Sequence, residues 1–223
     1  MNFQSSGKRI DDYDLPRVGA MIGVGEDEIH AVLDVEAAGS GFDRAGRLKM
    51  LFEPHVFYRN LNADKRSRAL EAGLAYPTWR PGQYPPDSYP RLLRAMAIDE
   101  TAALKSCSWG LGQILGENHK AAGYATVQDM VADFCKDEDN HLEAMIRFIK
   151  FKHLDVCLRR HDWHGFARGY NGAQYARHGY HVKLANAYDR WKRIKDTPLS
   201  PIPDFEPVPE KPRSWLDRLL RWK

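Results

Sequence analysis

Residues 26–54 read EDEIHAVLDVEAAGSGFDRAGRLKMLFEP, and the change of period inside this stretch decides the fold class. Over residues 26–38, Ile29, Val32 and Leu33 recur at helical spacing, and Glu36 falls on the same stripe in the last turn. Gly39, Ser40 and Gly41 stop the helix, and Asp43-Arg44-Ala45-Gly46 has the composition of a tight turn. Leu48, Met50 and Phe52 then alternate, which sends Leu51 and Glu53 to the opposite face. The stretch predicts a helix followed by a small β-hairpin.

Outward from it the pattern is helical. Residues 87–105 read as one or two helices and 126–136 as another. Residues 138–156 repeat Leu142, Met145, Ile146, Ile149 and Val156, and residues 180–195 repeat Leu184, Tyr188, Trp191 and Ile194. The fold class is α+β, predominantly α-helical. Residues 1–14 read as an N-terminal arm, 15–196 as the folded domain and 197–213 as a Pro-rich, semi-rigid linker. Residues 214–223 read as a short amphipathic helix. Trp215, Leu219 and Trp222 lie on its apolar side and Arg218 and Arg221 elsewhere. So short a helix needs a surface to fold on, and an anionic membrane surface or the domain itself would serve.

The chain has 223 residues, 43% hydrophobic and 28% charged, which excludes wholesale disorder and fibrous repeats. No apolar run is long enough to span a bilayer, and the N-terminal residues lack the apolar core of a secretory signal, so synthesis in the cytoplasm is expected. The net charge of +3 belongs to residues 207–223, which hold Lys211, Arg213, Arg218, Arg221 and Lys223 against Glu210 and Asp217. The remaining body is formally neutral, which argues against nucleic acid as a partner. Three cysteines make no disulfide framework. His161 with His164, and His178 with His181, lack the spacing of a zinc peptidase, so no metal or cofactor is expected. A monomer is the expected state.

Two carboxylates stand out. Glu36, set on an apolar stripe, should resist ionisation and so serve as a general acid, whereas Asp34 lies off that face. Structurally, Glu36 could instead satisfy free amides or an arginine such as Arg47. Glu53 ends the predicted strand, or opens a helix at Glu53-Pro54. Two carboxylates across a cleft are what glycosidic hydrolysis requires.

Val35 to Phe42, Leu51 to Tyr58, Ser106 to Ile114 and Tyr170-Asn171-Gly172 form four ordered blocks. In these blocks the chain resembles the N-acetylmuramidase domain of modular phage endolysins, within the lysozyme-like superfamily, over about residues 15–195. The resemblance implies cleavage of the β-1,4 bond between N-acetylmuramic acid and N-acetylglucosamine in peptidoglycan. Glu36 would be the proton donor and Glu53 the second carboxylate. The last two blocks are similar to cleft motifs of lytic transglycosylases, which implies substrate contacts at Ser108, Trp109, Gly110, Gln113, Tyr170 and Asn171. On this reading Gln113 pairs its amide with an N-acetyl group and Tyr170 holds the carboxyl of the acid. Gly112 departs from the pattern, where a larger apolar residue is usual. The irregular segment 76–86 is expected to form a cleft wall. Competing readings are a lytic transglycosylase giving 1,6-anhydro products, a non-catalytic peptidoglycan-binding or virion protein, and a secreted interbacterial toxin.

Overall fold

A computed structural model describes residues 2–197 except Ser6, Asp12, Ala38 and Pro81. The chain runs α1 (Asp14–Ile22), α2 (Glu26–Glu36), β1 (Met50–Phe52), α3 (Pro54–Asn60), α4 (Ala63–Glu71), α5 (Tyr89–Met96), α6 (Glu100–Lys105), β2 (Cys107–Trp109) and β3 (Ile114–Leu115). It continues through α7 (Val127–Phe134), α8 (Glu138–Phe151), α9 (Asp155–Arg159), α10 (Trp163–Asn171) and α11 (Tyr180–Trp191). The result is a lysozyme-like α+β fold in which helices surround one small antiparallel sheet of order β1-β2-β3. Residues 198–223, to which most of the expected linker and all of the expected C-terminal helix with Trp215, Arg218, Leu219, Arg221 and Trp222 belong, lie outside the described residues.

α2 forms as its sequence dictates. Glu26, Asp27 and Glu28 load its first turn with negative charge, and the Glu28 carboxylate accepts the Gly25 N–H at 3.0 Å. Ile29 and Val32 are fully buried, which fixes the rotation of the helix and the direction in which Glu36 leaves it.

The expected hairpin is only partly present. Phe42 and Leu48 make a single antiparallel bridge around a turn in which Asp43 accepts the N–H groups of Ala45 and Arg47, each at 2.9 Å. β1 takes its strand partner from far along the chain, with Met50 opposite Trp109 and Phe52 opposite Cys107. Leu48 and Phe52 face the core, so their strand pairs where that core is closed, not with its sequence neighbour. β3 adds to the other edge of β2 through Trp109 and Ile114.

α8 is the central helix, with Leu142, Met145, Ile146 and Ile149 fully buried against Phe52, Trp109 and Phe134. The expected helix 138–156 breaks after Phe151, where His153 adopts φ +56° and turns the chain, so Val156 belongs to α9. The stretch 87–105 resolves into α5 and α6, with the Asp99 side chain accepting Ala102 N–H at 2.8 Å to start the second. Residues 2–11 lie along the domain. The Leu48 N–H donates to Phe3 O at 2.9 Å, and the buried Phe3 ring stacks on Trp109 with centroids 5.8 Å apart.

Candidate active site

Glu36 is the last residue of α2, at the negative end of the helix dipole. Asn171, at the end of α10, meets it directly: its Nδ2 donates to the two carboxyl oxygens at 3.1 and 2.9 Å. Burial pushes the Glu36 carboxyl from 4.5 up to about 7, against the pull of the Asn171 hydrogen bonds and of the Lys183 charge on α11. The protonated acid is thus well populated at neutral pH. Arg47, an alternative partner on sequence grounds, is instead engaged with Asp43 and Asp87.

Tyr170 does not hold the acid. Its hydroxyl donates to Gly112 O at 3.0 Å, tying α10 to the turn between β2 and β3. Successive helical residues point about 100° apart, so only one of Tyr170 and Asn171 can face Glu36. Gly112 is explained by the same contact. A Cβ there would lie 3.1 Å from the Tyr170 hydroxyl and 3.1 Å from Met145 Sδ, so the larger side chain expected from the resemblance has no room.

The β2–β3 turn corrects one further expectation, at Trp109, and shows what holds Gly110 and Gln113 in place. Trp109 is fully buried and donates its indole N–H to Leu104 O at 2.9 Å, so it is a core residue with no face for a sugar. The cause is strand alternation, which places Trp109 with Cys107 on the inner face and half-buried Ser108 on the other. Gly110 is buried at φ +66°, and a Cβ on it would come within 2.9 Å of Phe134 and 3.0 Å of His141, so packing demands this glycine. The Gln113 amide donates to Gly110 O at 2.8 Å and thereby braces the turn.

Beneath this turn lies His141, which the sequence reading did not single out. Its Nδ1 accepts the Leu111 N–H at 3.2 Å and its Nε2 donates to Phe134 O at 2.6 Å. Burial lowers its pKa, which keeps the ring neutral, as this pairing requires. Glu138 anchors the other flank. This buried carboxylate accepts Ser40 Oγ at 2.9 Å, Gly41 N at 2.8 Å and, more weakly, Ile10 N at 3.3 Å, so the loop after Glu36 is bound to the start of α8. The placement of His141 and Glu138 on the most regular buried stripe of the chain was the available signal for both.

Glu53 immediately precedes α3, and its backbone N–H donates to Ser106 O at 2.8 Å. Its carboxylate accepts the Tyr84 hydroxyl at 2.6 Å, while the Trp79 indole N–H donates to Tyr84 at 2.7 Å. His55 Nδ1 stands 3.5 Å from the same carboxylate oxygen. Segment 76–86 therefore reaches Glu53. Burial, and the anion it faces, push the Tyr84 hydroxyl up to about 12, so it stays a donor. Glu36 and Glu53 are thus supported from different directions, one by α10 and α11, the other by segment 76–86.

Other reactive groups singled out in the sequence have structural surroundings. The Cys107 thiol is buried and its pKa raised, which removes it as a nucleophile. His161 bonds Glu28 at 2.7 Å, and His164 packs against His181 and Tyr175. Among the described residues no group of three or more His, Cys, Asp or Glu side chains is placed to hold a metal ion. A cavity of about 580 Å³ near Arg68 and Arg94 contains neither Glu36 nor Glu53.

A desolvated glutamic acid at a helix end, oriented by a neutral amide in a lysozyme-like domain, has the properties that a glycosidase's general acid requires. The chain belongs to the N-acetylmuramidase family, whose description matches residues 26–192, and at that level it is a peptidoglycan-cleaving glycosidase. The crystal structure of the Burkholderia AP3 phage endolysin is similar, at 35% identity and a TM-score of 0.77, covering 86% of this chain and 74% of that one. No curated protein matches the chain.

Proposed function

We propose that the chain hydrolyses the β-1,4 bond between N-acetylmuramic acid and N-acetylglucosamine as a phage lysis enzyme. Glu36 transfers its proton to the departing glycosidic oxygen. Glu53 stabilises the positive charge growing at the anomeric carbon or directs water to it. Water supplies the new hydroxyl, and its second proton restores Glu36. The observation that carries this reading is the Glu36 carboxyl, raised to about 7 and bonded at both oxygens by Asn171. The Tyr84 hydroxyl donating to Glu53 favours hydrolysis over transglycosylation, since it fixes the position of a second carboxyl group.

Digestion of purified peptidoglycan by Glu36→Gln and Glu53→Gln, read by mass spectrometry, tests the scheme. Both variants should lose turnover by orders of magnitude, and the wild-type products should carry reducing ends. Anhydro-muramyl ends, or near-normal turnover by Glu53→Gln, refute the two-carboxylate mechanism. For residues 214–223 the proposal is contact with an anionic envelope surface through Trp215, Arg218, Leu219, Arg221 and Trp222. Deleting residues 198–223 should then impair lysis of intact cells more than of envelope-stripped cells, and equal activity on both removes the idea.

A further inference from the structure

Beside Glu36, α11 presents groups that the hydrolytic step does not use. A cavity of about 340 Å³ opens next to Val35, the residue before the acid, and is lined by Asp34, Lys183, Asn186 and Arg190 among others. Lys183, Asn186 and Arg190 lie three and four residues apart, on one helical face. Asp34 is already engaged: its Oδ2 accepts Arg190 at 2.9 Å and the Trp191 indole N–H at 2.8 Å. Lys183 is exposed, its ammonium 5.3 Å from the Tyr180 ring centroid, and no described carboxylate lies within salt-bridge distance of it. The cavity therefore offers a free cation and a free amide within reach of the catalytic acid.

In intact peptidoglycan the lactyl carboxyl of N-acetylmuramic acid is closed as an amide to the peptide, so the sugars carry no charge that could pair with Lys183. The peptide borne on the lactyl group of N-acetylmuramic acid does, because it is rich in carboxylates. We propose that this cavity receives that acidic stem peptide, with Lys183 pairing a peptide carboxylate and Asn186 hydrogen-bonding its backbone. The proposal rests on the muramidase reading and deepens it by naming what is recognised beyond the sugars. From Lys183 to Arg190 the helix rises about 10 Å, which an extended peptide of about three residues spans. Pairing also affects the acid. A carboxylate on Lys183 cancels the charge that draws the Glu36 pKa down, so the occupied site keeps its proton to higher pH.

The test compares kcat/KM for reducing-end release from native peptidoglycan and from the same peptidoglycan after its peptide carboxylates are converted to amides with carbodiimide and ammonia, both at one pH. The wild-type protein should prefer the native substrate. Lys183→Ala should reduce that preference on the order of fivefold, the yield of one partly exposed ion pair, and Lys183→Arg should retain it. Asn186→Ala provides a second variant at an exposed position, and it should weaken the preference without altering thermal unfolding. An unchanged preference in Lys183→Ala, with both substrates cleaved, overturns the peptide site alone. If the wild-type protein releases reducing ends from neither substrate, the hydrolytic reading falls instead.

Discussion

Glu36→Gln should stabilise the fold in alkaline solution while abolishing turnover, and the size of the gain follows from the site. A carboxyl whose folded pKa lies above its unfolded value binds more protons in the folded state than in the unfolded one. Stability then falls as pH rises between the two values. For Glu36 the window runs from 4.5 to about 7. At about 1.4 kcal/mol per pH unit, the cost of ionising it in the folded protein approaches about 3 kcal/mol above that window. Glutamine carries no charge and so escapes the cost. It forfeits one of the two Asn171 hydrogen bonds, worth about 1 kcal/mol, because only one of its terminal atoms accepts.

The net gain is about 2 kcal/mol at pH 8.5, or a rise in Tm of about 4–8 °C for a domain of this size. At pH 4 both side chains are neutral, so the gain should vanish or turn into a small loss. Thermal unfolding followed by circular dichroism at the two pH values measures the difference. A Tm change of the same size at pH 4 and pH 8.5 would refute the claim that the folded site raises the Glu36 pKa. The general-acid role would lose its physical basis with it.

Two further outcomes follow from the contacts of the site. Asn171→Ala removes hydrogen bonds that favour the Glu36 anion, so the alkaline limb of the kcat/KM profile should move above pH 7. Turnover should fall on the order of tenfold as the acid loses its orientation, and an unmoved limb counts against the assignment. Glu138→Ala leaves Gly41 N–H and Ser40 without their buried acceptor, a loss of about 3 kcal/mol that should lower Tm by about 6–12 °C. A change below 2 °C in differential scanning calorimetry would show that the loop after Glu36 is held by other contacts.

Legibility from the sequence followed the range of the interaction. Glu36 was readable because its stripe, Ile29, Val32 and Leu33, lies within two helical turns. The turn at Asp43 was readable because its hydrogen bonds close within four residues. The partner of β1 was not, since 55 positions separate Phe52 from its partner Cys107 and no local pattern records which strand closes the sheet. Trp109 shows a different failure. Motif resemblance put it near the substrate, yet the alternation that buries Cys107 requires Trp109 to follow it inward. At Tyr170 and Asn171 the motif marked the right turn of helix but not the rotation of α10, and that rotation decides which side chain reaches the acid.

The polarity of α2 explains why the acid stands where it does. Three carboxylates in its first turn stabilise the helix, whereas its last turn holds Glu36 and no basic residue. A carboxylate at that end sits at the negative end of the helix dipole, which opposes ionisation in the same direction as burial. Asn171 suits this arrangement in a way an arginine would not. A guanidinium would orient the carboxyl but also fix it as an anion, at the expense of the proton that the departing sugar oxygen needs. A neutral amide supplies direction with less bias toward the charged form. The protein thus accepts a helix less stable at neutral pH than its sequence could provide, and the instability sits at the carboxyl proposed as the proton donor.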